Sequence, residues 1–382
     1  MKINPASKAC VLKGNQKIFY LQINQVASCC RAQSDTLDTT RTVNSYIRQW
    51  QNESQQLSDG VELAGCHVCW RDEHQGKISY RQQPKLDDGK TIEVFLSNLC
   101  NHMCSYCSPK YSSLWEESIQ TRGPFQKISS TAKNNLIVNQ TSADIGYWLE
   151  QIQDYIHNSD DNSVSLRLLG GEPLMQQRSL KKLLGFNSNK IKKLSLTTNL
   201  NPPTNKFLIW VLNNIDISKI TITISIDATP DYNHIPRSGF DRTRFLSNLK
   251  LLQDKNVNFY FNSVVSVLSI FDLENFISWK DTSNFRLEFN KLHNPNCLDP
   301  QYVPFQFREK IWQKIRHLNL DPVIVETLTQ PDNLVDLKLF EQYNYLTQYF
   351  ERSDTDPTQV DNALFVEYWV WLTEFIEEKF KR

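Results

Sequence analysis

The chain has 382 residues, enough for two domains or for one large domain with an appendage. Lys plus Arg and Asp plus Glu both number 42, so no global field favours nucleic acid or an anionic membrane, although a localised basic groove stays open. No apolar run approaches a membrane span, and the start Met1-Lys2-Ile3-Asn4-Pro5 lacks the apolar stretch of a signal peptide. Nine cysteines in such a chain point to metal ligation in a reducing, cytoplasmic compartment rather than to disulfides.

Along the chain, Cys10 precedes a strand-like run at 17–23, a turn at Asn24-Gln25 and the pair Cys29-Cys30. A polar stretch of helical character follows, in which 51–60 reads as a loop or lid. Cys66 and Cys69 come next, in Gly65-Cys66-His67-Val68-Cys69-Trp70. Residues 91–96 then form a predicted strand that runs into a loop carrying Cys100, Cys104 and Cys107. Three thiolates so close together can hold three irons of a cubane cluster and leave the fourth open to a small molecule. A ferredoxin would supply a fourth thiolate nearby; a zinc site is the alternative. Residues 108–140 are polar and aperiodic, and read as a loop or lid.

A buried strand at 164–169 leads straight into Gly170-Gly171-Glu172-Pro173. The glycines let backbone approach a ligand closely, and the carboxylate can accept bonds from an ammonium group. Further strands are predicted at 193–197, 220–226, 257–267 and 285–292, with helices at 143–156, 205–213, 242–254 and 271–279. This alternation argues for parallel βα units with function at the C-terminal strand ends. Several strands alternate sharply. Thr221, Thr223, Ser225 and Asp227 share one face, as do Arg286, Glu288 and Asn290; Arg167, Ser195, Thr197, Asn258, Tyr260 and Asn262 fit the scheme. Polar faces lining a ligand-filled lumen explain the pattern, and a half-exposed antiparallel sheet would alternate identically. Tyr260, Arg286 and Glu288 are candidates for substrate contact by facing alone. The C-terminal residues read as helices at 305–318, 333–350 and 361–379, the last with a broad apolar stripe that covers the open side of the sheet structure or docks a partner.

The CxxxCxxC loop followed by Gly-Gly-Glu-Pro after a strand resembles the radical S-adenosylmethionine (SAM) superfamily. The resemblance implies an α/β fold built on a partial (βα)6 barrel, with a [4Fe–4S] cluster on Cys100, Cys104 and Cys107 whose open iron binds SAM. It also implies reductive cleavage of SAM to a 5′-deoxyadenosyl radical that abstracts hydrogen from a substrate. Carried over position by position, it makes Tyr106, Gly170, Gly171, Glu172, Asn199, Ser225, Asp227 and Arg237 the SAM contacts. Ala228 stands where many relatives have glycine, which leaves the local loop geometry open. His102 reads as packing, and Cys297 as an unliganded thiol.

The N-terminal cysteines resemble the SPASM/twitch module, which in the family usually follows the barrel and here precedes it. That implies a second, auxiliary [4Fe–4S] cluster on Cys10, Cys29, Cys66 and Cys69, with Cys30 a spare or substitute and zinc the alternative occupant. The implied organisation is a twitch-like module at 1–85, a barrel at 86–297 and a helical segment at 298–382. Proteins with such modules are often peptide maturases, so the substrate expected is a ribosomally made precursor peptide, modified by crosslinking, epimerisation or splicease-type backbone excision. A small-molecule dehydrogenase or carbon–carbon bond former on a sugar, amino acid or nucleotide is the alternative. Expected partners are an electron donor such as flavodoxin or ferredoxin and, since no leader-binding winged helix is visible, a separate leader-recognition protein.

Overall fold

The computed structural model describes residues 10–82, 90–138, 142–185, 188–292, 294–332 and 335–380. The predicted boundary at 85/86 and the start of the predicted helix 333–350 lie outside the described residues. The fold is α/β with a mixed, largely parallel sheet. Two compact units divide the chain, one made of 1–98, 139–197 and 204–221, the other of 99–138, 198–203 and 222–382.

In the first unit, strand Lys90–Phe95 pairs in parallel with Val164–Leu169, which in turn pairs with Ile191–Thr198. On its other side Lys90–Phe95 pairs in parallel with Gln16–Tyr20. The strand expected over 17–23 ends at Tyr20, and Leu21–Ile23 instead forms a short 3-10 turn that leads through Asn24, whose φ of 54° suits asparagine, into Gln25–Ala27, antiparallel to Gln16–Tyr20. The N-terminal segment therefore extends the same sheet, a long-range pairing that no local pattern announces. Residues 51–58 are not a loop. They belong to helix Val43–Ser58, which buries Val43, Tyr46, Ile47, Trp50 and Leu57 and whose first turn is capped by Thr42, its hydroxyl accepting from Ser45 N–H at 3.3 Å. Its many Gln and Asn residues occupy the outer face, which is why the stretch looked aperiodic. Trp148 of helix Ile145–His157 packs against Tyr46, ring centroids 6.0 Å apart.

In the second unit, Asn258–Val265 pairs in parallel with Leu287–Lys291, which excludes the antiparallel reading for this pair. Phe261 meets Trp279, and Phe289 meets Phe276, both on helix Leu273–Ser283, so the apolar face is the helix-covered one. On strand Ile220–Ser225 the isoleucines are buried while Thr223 and Ser225 stay half-buried. The predicted loop 108–140 instead forms helices Ser113–Arg122 and Ser130–Asn135, anchored by buried Trp115, Ile119, Phe125, Ile128 and Ala132. The final helix, Ala363–Phe380, buries Phe365, Tyr368, Leu372 and Ile376, and each such side chain contributes about 1.5–3 kcal/mol on burial. Phe271 stacks on Tyr368, Phe307 meets it edge-on, and Phe350 packs on Phe365, so much of the stripe is core. Among the described residues no helix is long and apolar enough to cross a membrane.

Candidate active site

The cysteine loop lies in the second unit and is pinned along its whole length. Met103–Cys104 pairs antiparallel with Arg237–Ser238, and Ser105 N–H donates to Pro236 at 2.8 Å. Gly239 sits at φ +93°, where a Cβ would lie 2.4 Å from the Asn101 carbonyl oxygen, so only glycine lets the two segments approach this closely. The loop carbonyls are taken up by buried side chains. Ser112 donates to His102 O at 2.7 Å, Trp115 Nε1 to Cys104 O at 2.8 Å, and Tyr345 to Ser105 O at 2.8 Å. Four residues on from Tyr345, Tyr349 donates to Ile235 O and accepts from Ser238 N–H.

Cys104 is buried, while Cys100 and Cys107 are half-buried. Burial raises the Cys104 thiol and pushes Cys107 up to about 12, an environment in which metal binding rather than solvent would draw the protons off. Among the described residues no group of three His, Cys, Asp or Glu side chains is drawn together to hold a single metal ion. That does not conflict with a cubane, in which each thiolate takes its own iron; three thiols on one immobilised loop fit such a group. His102 is buried against Phe240 with Nε2 3.5 Å from Asn201 Oδ1. Burial, with Arg237 nearby, lowers its pKa to about 3, so it packs as a neutral ring.

Tyr106, Asp227 and Arg237 come together in one buried network. Arg237 Nε donates to Asp227 Oδ2 at 2.8 Å, Nη2 to Asp227 Oδ1 at 3.2 Å and to the Tyr106 hydroxyl at 2.5 Å, and Nη1 to the Cys104 sulfur at 3.6 Å. Tyr106 in turn donates to Asp227 Oδ2 at 2.7 Å, and Asp227 Oδ1 accepts from Val264 N–H at 2.9 Å. A carboxylate with no exposed surface is compatible with stability only when so fully compensated. Asn199 donates to Asn101 Oδ1 at 3.0 Å and accepts from Asn201 N–H at 2.8 Å, which ties the segment after strand Ile191–Thr198 to the cysteine loop. Ser225 ends its strand half-buried.

Gly170, Gly171 and Glu172 belong to the first unit. Gly170, at φ +117°, leaves no room for a Cβ, which would lie 2.9 Å from Ser97 O; Gly171 N–H donates to that same carbonyl at 2.9 Å. Glu172 is fully buried, and Oε1 accepts from Leu174 N–H at 2.9 Å at the start of the short turn Pro173–Met175.

Also in the first unit, Cys10, Cys29, Cys66 and Cys69 line one small cavity with Lys13, Arg31 and Arg81. Three separate elements deliver these sulfurs: the N-cap of helix Val11–Asn15, the end of the hairpin, and the short helical segment Ala64–His74. Lys13 pairs with Glu53, and Arg81 with Glu73 while lying over the Trp70 ring. Cys30 is exposed and does not line the cavity. Four thiols in one cavity, with Arg31 and the ion-paired Lys13 and Arg81 in its wall, fit a thiolate-bound group.

The sequence model of the Radical SAM superfamily matches residues 94–284, half of the chain. The chain belongs to the radical SAM superfamily. Its cofactors are accordingly a [4Fe–4S] cluster and SAM. Two curated relatives match about half of the chain. The radical SAM cyclopropyl synthase TigE of Paramaledivibacter caminithermalis is 24% identical over 205 residues, 49% of this chain and 39% of that protein. The S-adenosylmethionine-dependent nucleotide dehydratase of Psychrobacter lutiphocae is 22% identical over 195 residues, 49% of this chain and 59% of that one. The chain thus spans less than two thirds of either relative's length. Among solved structures, anSMEcpe with bound AdoMet is similar at 18% identity over 59% of each chain, TM-score 0.38. SuiB of Streptococcus suis with S-adenosylmethionine is similar at 14% identity over 77% of this chain and 56% of that one, TM-score 0.39.

The loop-clamping residues Trp115, Tyr345, Tyr349, Asn201 and Gly239 were not singled out from the sequence. Only Gly239, next to Arg237-Ser238, carried a local signal.

Proposed function

We propose that this enzyme holds its [4Fe–4S] cluster on Cys100, Cys104 and Cys107, and SAM through Tyr106, Gly170, Gly171, Glu172, Asn199, Ser225, Asp227 and Arg237. Together these cofactors supply a 5′-deoxyadenosyl radical that abstracts hydrogen from substrate. The observation that carries this reading is the buried network in which Arg237 joins Asp227 and Tyr106 to the Cys104 sulfur. Its role is to fix the loop and to keep positive charge against a sulfur that becomes anionic on metal binding. A second cluster occupies the cavity of Cys10, Cys29, Cys66 and Cys69. Four protein thiolates leave no iron open there, which suits electron relay.

The substrate class is a precursor peptide, modified by crosslinking, epimerisation or splicease-type excision. The twitch-like cysteine cavity supports it, as does a polar, open strand face in the second unit. A leader-recognition protein and a flavodoxin or ferredoxin are the partners this reading requires. A nucleotide-type small molecule is the second reading, supported by the similarity to the nucleotide dehydratase.

Anaerobic reconstitution with iron and sulfide counting, followed by dithionite, SAM and detection of 5′-deoxyadenosine, tests the assignment. About eight irons with cleavage supports both clusters, and about four with cleavage removes the auxiliary one. No cleavage by reconstituted protein overturns the proposal.

A further inference from the structure

Strands buried in parallel sheets are usually apolar on both faces, because helices or a second layer cover each side. Asn258–Val265 and Leu287–Lys291 depart from that rule. Their helix-covered face carries Phe261 and Phe289, whereas the other carries Tyr260, Asn262, Glu288 and Asn290, partly or fully exposed. On this polar face Arg286 pairs with Glu288 and lies over the Tyr260 ring, 5.1 Å from its centroid. Beside them Asn290 Nδ2 donates to Asn262 Oδ1 at 2.7 Å across the two strands.

A carboxamide pair joined by one bond leaves one carboxamide with a free donor and the other with a free acceptor. Here the free groups are Asn262 Nδ2 and Asn290 Oδ1; flipping both amides exchanges them and leaves the same complement. Neither side chain has another hydrogen-bond partner among the described residues. The pair is also tied to the cofactor network. Two residues beyond Asn262, on the same strand face, Val264 gives its N–H to Asp227, which holds Arg237 against the Cys104 sulfur. Asn262 itself accepts from Ile226 N–H at 3.1 Å through its backbone carbonyl.

We propose that the Asn262–Asn290 pair is a substrate-recognition site for a peptide group, one amide donating to a substrate carbonyl and the other accepting from the N–H of the same residue. An extended chain presents those two groups on one side of each residue, with the complementary polarity. The inference rests on the peptide reading of the substrate and names the residues that would read it. Uncharged carboxamides also discriminate. They offer an anion no countercharge of their own, and a substrate lacking the N–H forgoes one of the two bonds.

The test uses the reconstituted holoenzyme and three probes: N-acetyl-trialanine amide, the same peptide with its central nitrogens methylated, and uridine. Dissociation constants come from ligand-observed NMR. Wild type is expected to bind the trialanine probe about five- to tenfold more tightly than the methylated one, the effect of one hydrogen bond. Asn262→Asp keeps an acceptor for Asn290 Nδ2 but removes the outward donor, and it should lose a similar factor. Asn290→Leu should lose at least as much, with iron content and melting temperature unchanged. Trialanine binding equal in wild type and both variants overturns the pair's role while leaving a peptide substrate standing. Uridine bound in preference, with loss in the variants, overturns the peptide class. No trialanine binding to wild type overturns the proposal, and deuterium transfer from labelled peptides into 5′-deoxyadenosine then decides the peptide reading separately.

Discussion

The two cysteine sites differ in how the chain builds them. Cys100, Cys104 and Cys107 lie within one loop, and the work of the fold is to immobilise that loop: strand pairing to Arg237–Ser238, a glycine at Gly239, and donors from Ser112, Trp115 and Tyr345 on its carbonyls. Cys10, Cys29, Cys66 and Cys69 come from distant positions, and the work of the fold is to bring them to one cavity lined by Lys13, Arg31 and Arg81. The first site spends its structure on loop conformation, the second on assembly and charge. The loop site therefore depends on the distant residues that hold one segment in shape, whereas the assembled site depends on each element that delivers a sulfur.

The largest expected effect falls on the loop. Cys104→Ala should abolish SAM cleavage, assayed as 5′-deoxyadenosine; activity that survives would break the assignment of this loop as the cluster site. Next is the assembled site. Replacing Cys10, Cys66 and Cys69 together by alanine should remove about four irons while SAM cleavage continues. Unchanged iron, or zinc in its place, would make the second site something other than a cluster cavity. The pair Cys29 and Cys30 sharpens this further: Cys29→Ser should lose the auxiliary irons and Cys30→Ser should keep them, because only Cys29 lines the cavity.

Arg237→Gln strips the buried Asp227 of its countercharge and should destabilise the protein by about 3–5 kcal/mol in denaturant titration. In the surviving folded fraction, loss of the cation beside the Cys104 sulfur should move the core cluster's midpoint potential to more negative values, read by EPR redox titration. A potential unchanged from wild type would reduce Arg237 to loop packing. Gly239→Ala should cost about 1–3 kcal/mol through its positive φ and the contact with Asn101, with core iron lost before auxiliary iron. The smallest effect belongs to Tyr349→Phe, which deletes the bonds to Ile235 and Ser238 and should cost about 1–2 kcal/mol.

Much of this was legible in the sequence because it was local. The cysteine spacing, the strand before Gly170-Gly171, the alternation of Ile222 and Ile224 with Thr223 and Ser225, and the stripe containing Phe365, Tyr368 and Leu372 are all short-range patterns that survive folding. Helix Val43–Ser58 was misread in its second half because its solvent face is rich in Gln and Asn, so the five buried positions were diluted. The region 108–140 was misread for a related reason: its anchors, Trp115, Phe125 and Ile128, sit in short helices and turns with too few periods to show.

The sequence by itself determined the chemistry available: three thiols on one loop, a Gly-Gly-Glu-Pro after a strand, four more cysteines near the N-terminus, and polar positions at period two on the strands. Only the tertiary structure decided which of these meet. It placed Cys29 rather than Cys30 in the cavity, closed Asp227, Arg237 and Tyr106 into one network, brought Tyr345 onto the cysteine loop 240 residues away and Tyr349 onto the paired segment at Ile235 and Ser238, and joined Asn262 to Asn290. The physical reason is range. Side-chain type and period are properties of neighbours in the chain, whereas hydrogen-bond partners and charge compensation in a buried site are set by which distant segments share the same dry space.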